Sequence, residues 1–166
     1  VVSKNNLLFA GPCAGVASVG HELLGGTTKK VAFGNKPAEY WVVIPACLDT
    51  FRAYLISEAG VSAPIESITP DVGVIYAGMM VFSPNGRKMA LTNYPSSGIK
   101  TFDFDLNTGK LSNMLLLGGK TYGLAFSPNN LFLYTGGPVN QFDMLSMNPA
   151  SNKILISSSG GEGTMW

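Results

Sequence analysis

An all-β fold assembled from repeated antiparallel units is the fold class this sequence predicts, and three observations predict it. Hydrophobic residues make up 46% of the 166 and charged residues only 13%, while 20 Gly and 10 Pro supply the turns that many short strands need. Short apolar or alternating runs recur between clusters of Gly, Pro and Asn, a pattern that fits coiled coils and helical bundles poorly. A turn signature returns with its flanking strands intact: VFSPNGRKMA at Val81 and AFSPNNLFLY at Ala125.

Residues 1–28 read as an incomplete unit. Asn5-Asn6 precedes a strand-like LLFAG, and GVASVGHELLGG reads as a further strand ending in a glycine turn. An irregular capping segment is the alternative. The unit at 29–73 opens with the strand KKVAF from Lys29, turns through GNKPAE, and continues as YWVVIP and FRAYLIS, closed by Glu58-Ala59-Gly60. The following VSAPIESITPDVG, with Pro64, Pro70 and Gly73, either runs over the surface or adds an outer edge strand.

The units at 74–118 and 119–158 carry the repeat. Phe82 and Phe126, each opening a Phe-Ser-Pro-Asn string, are offset by 44 residues (126 less 82), and the Phe-Asp pairs at 102 and 142 by 40 (142 less 102). Both spacings suit a four-stranded propeller blade of roughly 40–50 residues. Proline fixes φ at the first corner of the turn, and Gly86 or its counterpart Asn130 accepts the positive φ of a later corner. In TFDFDL, Phe102, Phe104 and Leu106 alternate with Asp103 and Asp105, so the apolar side chains share one face and the carboxylates the other. GMMVF and YGLAF are more continuously apolar, as strands packed between neighbouring blades should be. Residues 159–166 read as the start of another blade. The expected architecture is therefore a partial or small β-propeller of about four blades' worth of units. Residues 162–166 either close a ring with the first segment or leave the chain as one arc of a larger disc. Because the chain begins at Val1 without a Met and stops at Trp166 in mid-pattern, a processed or partial product is expected.

Charge and motifs exclude several functions. Lys and Arg number 11 against 10 Asp and Glu, a formal net charge of +1 with no basic block, so a nucleic-acid partner is not expected. No apolar run reaches the about 18 residues of a membrane-spanning helix, and VVSKNNLLFAG lacks the order of a signal peptide. Cys13 and Cys47 read as buried thiols or as one disulfide, and with His21 the only histidine a zinc site has little to build on. His21 and Glu22 are adjacent, which in a strand sends them to opposite faces. No GxSxG, Walker or HExxH motif occurs. The Gly-Gly pairs at 25, 118, 136 and 160 read as connections between blades. Asp103, Asp105 and Asn107 present alternating oxygens but lack the glycine and terminal Glu of a calcium loop, so no metal or cofactor is expected. Tyr40, Trp41, Tyr94 and Tyr122 are the candidate binding residues, as a stacking surface for glycans; aromatic wedges between blades are the alternative.

The strings YWVV with FRAYLIS, VFSPNGRKMA, FDFDLNTGKLSN and YGLAFSPNNLFLYTGG resemble the WD-repeat-like propeller domains of secreted and cell-surface proteins of Bacteroidota. The resemblance covers residues 29–166. It implies a non-catalytic binding or scaffold module that recognises a protein or glycan partner through loops on one face, located outside the cell, at its surface or, alternatively, in the periplasm. In that group such propellers accompany a sorting domain for type IX secretion and gliding, and an accessory role in an outer-membrane assembly is a further alternative. FDFDLNTGKL followed by GGKTYGLAFSPN is also similar to lactonase-like propellers, which would imply hydrolysis of sugar lactones. Their gathered His, Glu and Arg have no counterpart set in this sequence.

Overall fold

The computed structural model describes residues 24–30, 37–46, 49–70, 78–93 and 98–158. The readings at Cys13, His21-Glu22, Cys47 and Tyr94, and the segments 1–23 and 159–166, lie outside them. The described residues are all-β, with thirteen strands and no helix. No helix is long and apolar enough to cross a membrane among them.

The strands form three antiparallel sheets in chain order, the make-up of part of a β-propeller. The first holds β1 (Gly25–Lys30), β2 (Glu39–Pro45), β3 (Thr50–Ser57), β4 (Gly60–Val61) and β5 (Ile65–Ile68). The second runs β6 (Met80–Phe82), β7 (Lys88–Asn93), β8 (Gly98–Asp105), β9 (Lys110–Gly118), and the third β10 (Leu124–Phe126), β11 (Phe132–Thr135), β12 (Val139–Asp143), β13 (Ile154–Ser157). In the second and third sheets each strand pairs with the next in sequence, so both are meanders, and the first follows the same path through β4 while β5 also pairs with β3. Of the first strands, β6 sits against both β1 and β10, and the outer strands β5 and β9 also touch. That stacking gives each sheet an inner and an outer edge.

One detail corrects the sequence reading, and a second decides between two alternatives that it left open. The first sheet begins at Gly25, four residues before the Lys29 at which the unit was placed, and Gly25-Gly26 lies inside β1 instead of forming a connection. A Cβ at Gly25 would come within 2.9 Å of the Met80 side chain, so the glycine permits the close approach of β1 to β6. The linker after Gly60 forms an edge strand in two pieces. β4 pairs with the end of β3 and β5 with its beginning. Ser62 spans the break by donating its N–H to Leu55 O and accepting the Leu55 N–H on Oγ, both at 2.9 Å.

The core lies between sheets. Trp41, Val43, Phe51 and Ala53 of the first sheet pack on Met89, Leu91, Phe102 and Phe104 of the second. Ala90, Ile99 and Leu117, on the other face of the second sheet, pack on Leu124, Leu133 and Phe142 of the third. The alternation seen in TFDFDL is the cause: Phe102 and Phe104 are buried, Asp103 is half-buried and Asp105 exposed. Phe51 meets Phe102 edge-on at 5.4 Å between centroids, and Phe104 meets both Phe82 (5.1 Å) and Trp41 (6.0 Å) the same way. Such contacts between aromatic rings add about 0.5–1.5 kcal/mol each beyond area burial.

Candidate functional site

The Ser-Pro-Asn turns are built alike, bond for bond. In the second sheet Ser83 N–H donates to Lys88 O (2.9 Å) and its hydroxyl to Asn85 Oδ1 (2.9 Å), while Ser83 Oγ accepts the Lys88 N–H (3.0 Å). In the third, Ser127 N–H donates to Phe132 O (2.8 Å), its hydroxyl to Asn129 Oδ1 (2.6 Å), and Oγ accepts the Phe132 N–H (2.9 Å). Serine thus holds both strands at the mouth of the turn and asparagine fills its centre. Gly86 and Asn130 occupy the left-handed corner at φ 70° and 65°, as the sequence anticipates.

The two turns also meet each other. Asn130 Oδ1 accepts the backbone N–H of Asn85 at 2.8 Å, and the Gly86 corner abuts Thr27 of β1, where a Cβ would lie 2.4 Å from the Thr27 hydroxyl. A chain of contacts therefore links all three sheets at this end of the molecule.

Between the turns of the second and third sheets runs an open groove of about 560 Å³, walled by Asn85, Arg87, Asp103, Asp105, Asn129 and Asn130. The volume falls in the roughly 300–1,000 Å³ range of small-molecule sites. Leu145, largely exposed, forms an apolar lip. Two carboxylates in the wall are already engaged. Asp103 accepts from Lys88 Nζ (2.8 Å) and Asn113 Nδ2 (2.9 Å). Its partial burial pushes the pKa up, but the hydrogen bonds from Lys88 and Asn113 and the charge of Lys88 outweigh that and hold it below the ordinary carboxylate value. Asp105 is held low by hydrogen bonds from the Thr108 hydroxyl (2.7 Å) and the Asn107 N–H (2.9 Å), in the tight turn that ends at Gly109. The alternating oxygens at Asp103 and Asp105 thus serve an ion pair and a turn cap, with Asn107 donating its N–H to the cap, and no cluster of three or more metal-ligating side chains occurs among the described residues.

The aromatic candidates do not form one surface. Trp41 is buried between the first two sheets, 2% exposed. Its indole N–H donates to Leu106 O (2.9 Å), Lys29 Nζ lies 5.6 Å from the ring centroid, and Phe104 stands edge-on to it. Tyr40, its neighbour in β2, is half-exposed on the opposite face. Tyr122 is exposed in the connection between β9 and β10, at the other end of the sheets from the Ser-Pro-Asn turns. Tyr94 lies outside the described residues. Sequence reasoning missed the groove and Arg87, although the duplicated turn motif marks both of its walls.

These features define a propeller-type all-β fold with a polar groove between blade turns. No family model matches the chain, and no curated protein matches it. Among solved structures it is similar to a candidate 6-phosphogluconolactonase from Bacteroides fragilis, at 17% identity and a TM-score of 0.49, over 72% of this chain and 36% of that one. It is also similar to a chain from the complex of KlAtg21 with the coiled-coil of AgAtg16, at 13% identity and a TM-score of 0.44, over 76% of this chain and 41% of that one. The chain spans less than half the length of either. The fold class rests on the three sheets, and neither likeness bears on activity.

Proposed function

We propose that the chain is a non-catalytic binding module whose groove between the Ser-Pro-Asn turns recognises a protein or glycan partner. The observation that supports this reading is the state of the two groove carboxylates. Asp103 is taken up by Lys88 and Asn113, and Asp105 by Thr108 and Asn107 of its own turn, so both already serve to hold the turns in place. Rigid sheets presenting short, internally bonded turns suit recognition, because little conformational freedom is lost on binding. A location outside the cell or at its surface belongs to the same proposal, as part of a Bacteroidota secreted protein or an outer-membrane assembly. It rests on the resemblance of residues 29–166 alone.

The test is turnover. The purified chain should leave the spontaneous hydrolysis of gluconolactone unchanged at neutral pH. Rate enhancement that disappears on replacing a groove carboxylate would overturn the binding reading in favour of a lactonase.

A further inference from the structure

We propose that the groove is an oxyanion site, built to take the carboxylate or phosphate group of a small ligand. This rests on the binding reading above and names the chemistry of what is bound. The argument follows the hydrogen-bonding capacity of the wall. A side-chain amide offers an acceptor oxygen and two N–H donors. Asn85 Oδ1 accepts from the Ser83 hydroxyl (2.9 Å) and the Arg87 N–H (3.0 Å). Asn129 Oδ1 accepts from the Ser127 hydroxyl (2.6 Å) and the Leu131 N–H (3.1 Å), and Asn130 Oδ1 from the Asn85 N–H (2.8 Å). A backbone N–H can only meet the oxygen, so all three amides have a fixed orientation.

Each therefore keeps its NH₂ group, which has no protein partner among the described residues, and the same holds for the guanidinium of Arg87. Lys88, by contrast, is neutralised by Asp103. What the wall offers a ligand is three amide donors and one unpaired cation whose fork of N–H groups suits a carboxylate or phosphate. Asp105 opposes an anion, although its carboxylate already accepts two hydrogen bonds from its own turn. Leu145 at the lip gives the carbon skeleton of the ligand an apolar contact.

The experiment is a titration of the purified chain with sodium glucuronate, inorganic phosphate and glucose, followed by NMR of the side-chain amides and by calorimetry. Saturable binding of glucuronate or phosphate with none of glucose is expected; glucuronate alone assigns a carboxylate, and phosphate alone a tetrahedral group. Arg87→Gln should weaken binding about tenfold, the loss of one charge-assisted contact. Asn129→Asp retains the oxygen that the turn requires but replaces a donor by a negative oxygen, so it should fold normally and bind at least as weakly. Asp105→Asn should tighten binding. Lys120→Gln, which removes a cation at the opposite end of the sheets, should change nothing. Binding of neither acid, equal binding of glucose, or unchanged affinity in both Arg87→Gln and Asn129→Asp overturns the site. Lactone turnover with oxyanion binding intact would instead remove the non-catalytic reading and leave the site standing.

Discussion

Gly109→Ala should uncouple the first two sheets, and its cost can be worked from two separable causes. Gly109 has φ 73°, and a Cβ there would lie 2.7 Å from two atoms of the six-membered ring of Trp41. Placing an L-residue in the left-handed region costs about 1–2 kcal/mol, and overpacking a well-filled contact costs about 1–3 kcal/mol. The indole cannot yield freely, because movement would break its bond to Leu106 O and its edge contact with Phe104. The sum, about 2–5 kcal/mol, is a large part of the roughly 5–15 kcal/mol that stabilises an ordinary domain. Urea unfolding followed by far-UV circular dichroism measures it. Trp41→Phe removes the ring atoms that the new methyl would strike, so in that background only the backbone part should remain. A coupling of about 1–3 kcal/mol between the two substitutions is expected. Equal losses in both backgrounds, or a loss under about 1 kcal/mol in the native one, would refute the proposed contact.

Three further outcomes follow from the same bonds. Thr92, buried, accepts the Met79 N–H on Oγ1 at 2.8 Å and donates to Tyr122 O at 3.2 Å, joining the second sheet to the connection entering the third. Thr92→Val should cost about 1–3 kcal/mol in chemical unfolding, since it strands buried polar groups while preserving shape. Asn130→Ala loses both tolerance of positive φ and the acceptor for Asn85 N–H, and should lower the melting temperature with a cost of about 1–3 kcal/mol. The folded-state pKa of Asp103 lies below its ordinary 3.8. Its contribution is therefore complete above that value and lost as pH falls through the lower folded one. With 43% of the Asp103 side chain exposed, Asp103→Asn should cost only about 0–1 kcal/mol at pH 7. The variant should also lose less stability than the native chain between pH 5 and 2; an identical acid profile would show that the Lys88 pair contributes nothing.

Much of the fold was legible along the chain because its determinants are local. A Ser-Pro-Asn string fixes a turn through bonds within six residues, as the matching networks at Ser83 and Ser127 demonstrate. The alternation of TFDFDL assigns Phe102 and Phe104 to the core and Asp105 to solvent without reference to any neighbour. The spacing of the two copies then implies sheets repeated in order.

What lay beyond the sequence depends on which sheets touch. That Trp41 is a wedge and not a stacking platform follows from Phe104, Leu106 and Gly109, more than sixty residues away, closing around it. The start of the first sheet at Gly25 was hidden for a related reason: two glycines read as a connection unless Met80 is known to press against them. The groove arises only when turns 44 residues apart are set side by side by Asn130 and Asn85. Pattern determines strands, turns and faces, because those are settled by bonds to near neighbours. Tertiary packing decides which aromatic is buried, which cation is left unpaired and where a ligand has room, because those are settled by distant parts of the chain competing for the same space.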